Sequence, residues 1–597
     1  MILVFGGTTE GRKAIEALEA AGSHFFYSTL GDEQQVNLTH GIHVKGGMDL
    51  SEMVAFCEEH AVRLLVDAAN PFEENLHKNL LQLALQLQLP VIRFDRIYPP
   101  RSKDVIWCRD YEEAIRRMEE QGIGRLLALT GVNTIVPLRP YWSKYECWFR
   151  ILRREASIRL AEMAGFPKRH LVFYEEDATD ALIEQLQPEA ILTKESGVSG
   201  GFSEKVATAK AAGVRVFAIE RPTYPPKDVI PQDKTLTIDH VNGPYGLRRA
   251  VEKRLPEFYP LHSGLTTGTC ATAAAVAAAH ALLRKVKPGK VPVVLPDGET
   301  IFVPVAYGDG FASVVKPGGD DPDVTHGLEI RASVSRLEGD TSEDVVVKGG
   351  VGVGTFTLPG FDYPPGEPAI NKGPRQMIRN NLAVFDTPLQ VVVSVPEGEE
   401  IARRTFNPRL GIEGGISIIG VSGIVMPFSE DAFIESIRKC LQVAKASGAP
   451  RVVINSGAKS ERFVRTRYPE LPRQAFVEYG NYIGETLKMA EELGIGKVTL
   501  GIMLGKAVKL AAGQLDTHSR QGTMDKVFIS QMLTEAGIST DISNLSLARD
   551  LWNIIPEEKI PDFTRVVIRH CQEHCEPVAG NCRLTILLIG ENGEIYE

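Results

Sequence analysis

The chain has 597 residues and a formal net charge of -10, with 43% hydrophobic and 24% charged residues, ordinary proportions for globular domains. At about 150 residues per domain, the length predicts roughly three to four domains or subdomains. The acidic balance excludes a general nucleic-acid binder, which needs a broad excess of Lys and Arg, and no apolar run is long enough to span a bilayer.

Met1 to Gly7 reads directly into a buried strand and a glycine turn, unlike a signal peptide. Apolar runs at 2–5, 64–68, 91–94, 126–129, 171–174, 190–192 and 214–219 alternate with amphipathic stretches such as 12–21 and 73–85. Strands buried on both faces and separated by helices predict parallel, doubly wound sheets. The count predicts two Rossmann-like lobes, about 1–96 and 104–222, hinged at Ile97-Tyr98-Pro99-Pro100. A Pro-rich, polar stretch follows, and 223–260 is expected as a linker with one short helix near 245–254.

The second half, 261–597, changes character. Glycine is dense from 298 to 373, and strand-like runs at 344–348 and 389–395 alternate with turns, which predicts an α+β half with a mixed sheet. Helices and strands alternate again over 429–580, and a terminal hairpin is expected, with Glu591-Asn592-Gly593 as its turn. The eight cysteines are scattered, which fits a reduced, cytoplasmic protein rather than a disulfide scaffold. Cys571, Cys575 and Cys582 with His570 and His574 form one cluster, for which a helix and a strand carrying buried or exposed cysteines is a commoner outcome than a metal site. No protein-bound metal is expected.

The segment Gly6-Gly7-Thr8-Thr9-Glu10-Gly11 lies between the first strand and the first helix. Such a turn suits either a nucleotide phosphate or a purely structural role. The second strand ends Tyr27-Ser28-Thr29, with Asp32 beyond it, so the acidic ribose cue is blurred and NADH and NADPH are not distinguished. The opening loop, Val66-Asp67-Ala68-Ala69-Asn70-Pro71-Phe72, Trp148-Phe149-Arg150 and Thr193-Lys194-Glu195-Ser196-Gly197 together resemble the precorrin-6A reductases. The resemblance implies a two-lobed fold and reduction of one macrocycle double bond by NADH or NADPH. Lys194 and Asp67 are then the catalytic candidates, with Arg150 and Ser196 binding substrate. Their alternatives are a surface lysine for Lys194 and a helix N-cap for Asp67. Ala69, Asn70 and Phe72 stand where many relatives have Thr, His and Tyr.

In the second half, Ser263 to Ala275 is the most specific segment. Thr266, Thr267, Gly268 and Thr269 precede an alanine-rich helix, which suits an anion site or a well-capped buried helix. With Asp320-Asp321-Pro322-Asp323-Val324-Thr325-His326-Gly327, the run Gly350, Gly352 and Gly354, Asn407-Pro408-Arg409, and Asp516-Thr517-His518-Ser519, it closely resembles the cobalt-precorrin-5B carbon-1 methyltransferases. The resemblance implies S-adenosylmethionine as cofactor, with the threonines and glycines as its candidate site. His326 and His518 are catalytic candidates, with a structural hydrogen-bonded histidine as the alternative for each. Arg375, Arg379 and Arg409 are candidates for substrate carboxylates. Asp320 to Asp323 suits a cation site or, more commonly, a solvated turn. The partners implied are cobalt-bound tetrapyrroles, without nucleic acid or membrane, in a monomer or homo-oligomer. A non-catalytic tetrapyrrole carrier, or one active half fused to a scaffold half, are the alternative readings.

Overall fold

The structure, a computed structural model, describes residues 1–31, 36–174, 178–226, 229, 236–337, 344–518, 524–543 and 545–597. Asp32 and Ser519 lie outside the described residues. Met1–His262 with Asp297–Ile301 form one compact unit, and Ser263–Pro296 with Phe302–Glu597 form a second.

The first unit holds two six-stranded sheets. One contains β1 (Ile2–Phe5), β2 (Phe25–Thr29), β3 (Gly41–Lys45), β4 (Leu64–Asp67), β5 (Val91–Phe94) and β12 (Ile238–Val241), in the order β12-β5-β4-β1-β2-β3. The other contains β6 (Val105–Cys108), β7 (Arg125–Ala128), β8 (Glu146–Ile151), β9 (Leu171–Phe173), β10 (Ala190–Lys194) and β11 (Arg215–Ile219), in the order β6-β11-β10-β7-β8-β9. Neighbouring strands pair in parallel, as in Val4↔Tyr27 and Leu192↔Ala128. Helices cover both faces, so the strands read as unbroken apolar runs. Ile2, Leu3 and Val4 are wholly buried, each contributing about 1.5–3 kcal/mol of apolar burial.

Helix α1 (Thr9–Glu19) buries Ala14, Ile15 and Leu18, the one-face spacing of a surface helix. Helix α2 (Glu74–Leu87) buries Leu80, Leu81 and Ala84 by the same rule.

The expected linker is corrected in its second part. Residues 238–241 add β12 to the first sheet beside β5, with Ile238 opposite Val91. Helix α3 (Pro244–Arg254) then places Leu247 and Val251 in the core with Ile15 and Leu18. An apolar face at helical spacing cannot be left in water, and this one closes the first lobe. The chain therefore passes between the lobes twice, after β5 and after β11.

The second unit has two parts. In the first, α4 (Thr267–Ala279) packs on a five-stranded mixed sheet of β13 (Ala306–Tyr307), β14 (Ala312–Val315), β15 (Glu329–Arg336), β16 (Val345–Gly349) and β17 (Leu389–Ser394). All thirteen residues of α4 are buried; its run of alanines lets backbone approach sheet closely. The pair β16–β17 is parallel and the others are antiparallel. The second part winds β18 (Val452–Asn455), β19 (Phe476–Glu478), β20 (Lys497–Met503), β21 (Arg583–Ile589) and β22 (Ile595–Tyr596) in the order β19-β18-β20-β21-β22. Only β22 runs antiparallel. The mixed α+β reading of this half holds.

Candidate functional site

In an open parallel sheet, ligands bind outside the carboxyl ends of the strands where the winding reverses. In the first sheet that point lies between β1 and β4, at Gly6-Gly7-Thr8 and at 68–73. In the second it lies between β7 and β10, at 129–134 and 194–201. The motifs at 6–11, 66–72 and 193–197 lie at these two edges, whereas Trp148-Phe149-Arg150 lies within β8.

The Gly6 to Gly11 turn is built on Tyr27. A Cβ at Gly6 would meet the Tyr27 ring at 2.3 Å, and the Gly7 amide donates to the Tyr27 hydroxyl at 2.9 Å. The Thr8 hydroxyl caps α1 by accepting from the Gly11 amide at 2.9 Å, and it donates to the Ala68 carbonyl at 2.7 Å. Gly7 stays exposed, so the turn remains open to a ligand above it. Glu10 does not. Its buried carboxylate accepts from the Arg96 guanidinium at 3.1 Å and from the Ser199 hydroxyl, tying the two lobes together. Arg96 also donates to the Ser196 carbonyl at 2.8 Å.

Two further candidates are corrected. Asp67 is fully buried and caps no helix. It takes Arg93 at 2.8 Å and His77 at 2.7 Å. Burial alone would raise its pKa, but the Arg93 and His77 contacts outweigh it and hold the carboxyl at about 2. Its enclosed carboxylate is engaged by Arg93 and His77, which line a cavity of about 420 Å³ with Asp95, Tyr98 and Tyr224. The Ser196 hydroxyl gives its proton to the Gly200 carbonyl at 3.0 Å.

Lys194 and Arg150 differ from these. The Lys194 ammonium lies 5.0 Å from the centroid of the Phe72 ring, and it has no hydrogen-bond or ion-pair partner among the described residues. Burial lowers its pKa. Arg150 is 7% exposed, donates to the Thr179 hydroxyl at 2.9 Å and lies 5.0 Å from the Tyr174 ring centroid, with no carboxylate paired to it among the described residues. Lys205, missed by sequence reasoning, is half-buried beside it. Burial and the Arg150 charge bring its pKa down to about 8. The Lys205 ammonium donates to the Gly200 carbonyl at 2.7 Å, and neither cation has a carboxylate paired to it among the described residues, a costly arrangement for buried charge. No spacing rule flags Lys205, because it comes near Arg150, 55 positions earlier in the chain, only through tertiary folding.

In the second unit, most of the expected site residues are engaged by the chain itself. The Thr266 hydroxyl accepts from the Thr269 amide at 3.2 Å, and the Thr269 hydroxyl donates to the Gly423 carbonyl at 2.6 Å. The Thr267 hydroxyl accepts from the Ile419 amide at 2.8 Å, while the Gly268 amide donates to the Ile419 carbonyl at 2.9 Å. The start of α4 is thus covered by 417–425, and its hydroxyls hold the fold. Gly350, Gly352 and Gly354 pack backbone against backbone: a Cβ on Gly352, at φ +71°, would meet the Val395 carbonyl at 1.8 Å. Those on Gly350 and Gly354 would meet the Ser394 hydroxyl at 2.3 Å and the Gly415 carbonyl at 2.7 Å.

Arg375 is buried and donates to the Ile370 and Pro368 carbonyls and to Glu367, at 2.9, 3.0 and 3.1 Å. It holds the 363–371 loop. Arg379 donates to the Val345 carbonyl at 3.1 Å. Arg409 pairs with Glu461 at 2.7 Å and keeps part of its guanidinium exposed to a recess. Asp323 is held by Lys316 at 2.6 Å, while Asp321 accepts from the Phe428 amide at 3.1 Å. His326 is exposed, and its Nδ1 accepts from the Gly318 amide at 2.9 Å, so the ring proton sits on Nε2. The His518 amide donates to Asp516 at 2.9 Å. Cys571 and Cys575 are buried in the core on one face of the helix Ile560–Ala579.

Residues 1–241 match the family model described as precorrin-6x reductase CbiJ/CobK, residues 256–427 match CbiD, and residues 516–596 match the CbiD C-terminal domain. The protein is therefore a fusion of a reductase domain and a methyltransferase domain of cobalamin biosynthesis. A cobalt-precorrin-5B C(1)-methyltransferase of Prosthecochloris aestuarii is 43% identical over 331 residues, covering 53% of this chain and 90% of its own. That of Geobacillus kaustophilus is 45% identical over 350 residues, covering 56% and 93%. The chain belongs to the cobalt-precorrin-5B C(1)-methyltransferase family and carries a precorrin-6x reductase domain in front. Among solved structures, a cobalamin biosynthesis protein (cbiD) from Archaeoglobus fulgidus is 31% identical with a TM-score of 0.26, covering 47% of this chain and 85% of its own. A CobK precorrin-6A reductase is 16% identical with a TM-score of 0.34, covering 42% and 96%. No helix among the described residues is long and apolar enough to cross a membrane.

Proposed function

We propose that the second unit methylates carbon 1 of cobalt-precorrin-5B with S-adenosylmethionine, and that the first unit reduces the product, cobalt-precorrin-6A, with NADH or NADPH. The presence of both family domains in one chain carries this reading, because the product of one reaction is the substrate of the other. The cobalt travels with the substrate.

In the first unit, the open Gly7 turn at the β1–β4 reversal suits a nucleotide phosphate. The nicotinamide nucleotide supplies the hydride, and the protein supplies position and charge. Arg150 and Lys205 bind an anionic group, of the macrocycle or of the nucleotide. Lys194, with no hydrogen-bond partner among the described residues and on the opposite lobe from Gly7, delivers the proton or holds a macrocycle carboxylate. In the second unit, S-adenosylmethionine supplies the methyl group, and transfer depends on alignment and exclusion of water. His326 and His518 are its candidate polar groups.

The test is anaerobic incubation of the full chain with cobalt-precorrin-5B, S-adenosylmethionine and each nicotinamide nucleotide. The expected mass changes are the gain of one methyl and then of two hydrogens. A chain that binds the macrocycle but changes neither mass is a carrier, and one that makes a single change has one active half.

A further inference from the structure

The stretch that matches the reductase family ends at residue 241, and the stretch that matches CbiD begins at 256. The first compact unit nevertheless runs on to His262 and takes in Asp297–Ile301, five residues from inside the CbiD stretch. A short piece of methyltransferase sequence is therefore part of the reductase unit, and Glu299 is at its centre.

Helix α3 opens on Gly243, which has no side chain to cap it. The first amides of a helix lack partners within it, and burying them without an acceptor is costly. Glu299 supplies the acceptor. It is 1% exposed, and its carboxylate accepts from the Tyr245 amide at 3.1 Å and from the Gly246 amide. Burial raises its pKa to about 7, with the two amide bonds pulling the other way, and an oxygen remains to accept in either protonation state. The fit is close. A Cβ on Gly243 would meet the Glu299 carboxyl carbon at 2.3 Å, and one on Gly246 would meet its Oε1 at 2.8 Å. The turn carrying Glu299 is itself held. The Asp297 carboxylate accepts from the Glu299 amide at 3.0 Å, and the Asn242 side chain accepts from the Thr300 amide at 2.8 Å.

From this cap the contacts lead to the nucleotide side of the lobe. Leu247 and Val251 of α3 share a core with Ala14, Ile15 and Leu18 of α1. Just beyond α3, the Tyr259 hydroxyl donates to the Ala17 carbonyl at 2.8 Å. Helix α1 begins in the Gly6 to Gly11 turn, where the Thr8 hydroxyl caps it. We propose that Glu299 is a positioning residue for the reduction: by capping α3 it seats that helix on α1 and so fixes the turn that receives the nucleotide. The nucleotide at that turn rests on the function proposed above; the cap and its link to α1 do not. No reductase motif announces Glu299, because it lies far outside the reductase stretch.

The test uses the full chain with Glu299→Ala, which removes the acceptor, and Glu299→Gln, which keeps an oxygen for the amides. Amide hydrogen exchange is followed in peptides covering 244–248 and 8–14, and NADH and NADPH binding by titration. In Glu299→Ala, exchange over 244–248 is expected to rise about 10- to 100-fold, with a rise over 8–14 beside it. The Kd of the bound nucleotide is expected to rise about 3- to 10-fold. Glu299→Gln restores most of all three. Should Glu299→Ala fail to fold, Gly243→Ala, which sets a methyl against the carboxylate without removing it, carries the same readouts. Unchanged exchange over 244–248 overturns the cap. Faster exchange there, with 8–14 and nucleotide affinity unchanged, overturns the positioning role. Wild type that binds neither nucleotide overturns the reading of the Gly7 turn, and the exchange comparison then decides the cap and its link to α1 by itself.

Discussion

The Lys194 ammonium lies 5.0 Å from the centroid of the Phe72 ring, so the last residue of β10 in one lobe faces the loop after β4 in the other. Of the two side chains in this contact, only Lys194 carries a titratable proton, and on the proposed reading it serves as the proton donor. Lys194→Met is expected to lower the turnover of reduction about 100-fold and to leave methyl transfer unchanged. Because burial holds the lysine below its ordinary pKa of 10.5, reduction should fall as pH rises through a value under 10.5. Steady-state NAD(P)H oxidation against pH checks this; a rise in KM with kcat unchanged would reassign Lys194 to carboxylate binding.

Arg150 gives a prediction with opposite signs for activity and stability. It is a buried guanidinium without an acid partner among the described residues, so Arg150→Met relieves the free protein of a desolvated charge. Thermal unfolding of the variant is expected at or above the wild-type temperature. Reduction is expected to show a KM raised about 10- to 100-fold, since the anion it serves loses its partner. A lower melting temperature with normal KM would make Arg150 structural.

Asp67 behaves in the reverse way. Removing its charge leaves Arg93 buried without its deepest partner, so Asp67→Asn should destabilise the first unit by about 3–5 kcal/mol. The folded-state pKa, near 2, lies below the ordinary 3.8. The stability this group contributes is therefore complete above about pH 4 and is lost as pH falls toward 2. Urea unfolding at a series of acidic pH values should show this limb in wild type and a flatter one in Asp67→Asn.

Gly352→Ala tests the backbone packing of the second unit. The added Cβ would overlap the Val395 carbonyl, and φ +71° is strained for alanine. A loss of more than about 2 kcal/mol is expected, and methyl transfer should fall with the folded fraction. Calorimetry with an activity assay on the folded protein separates this from a cofactor role, which would lower activity at normal stability.

The fusion itself has a kinetic consequence. Tethered domains see a high effective concentration of the shared intermediate. Coupled conversion by the intact chain should show a shorter lag and better resistance to a trapping protein than separate halves at equal concentration. Equal lags and equal trapping would show that the tether contributes nothing.

Much of the architecture was legible in the chain. Strands such as Ile2–Phe5, apolar at every position, can only be buried on both faces, and that forces parallel sheets between helices. The Pro-rich stretch misled: Pro225 and Pro226 looked like the start of a linker, while Leu247 and Val251 carried the helical spacing that returned the chain to the first lobe. The site was less legible. Thr266, Thr267 and Thr269 have the composition of an anion site, and only the arrival of 417–425 shows that their hydroxyls are taken.

By itself, the sequence determined the family, the succession of two domains and the local structure at each motif. These follow from periodicity, turn chemistry and motif order, which act over a few residues or repeat along the chain. The tertiary structure alone decided which polar side chains are already satisfied and which still face a ligand. Asp67 and Arg375 are consumed by partners 26 and 8 residues away, whereas Lys194 and Arg150 are left without acid partners among the described residues. Hydrogen-bond and charge satisfaction depends on contacts between distant segments, and those exist only once the sheets have closed.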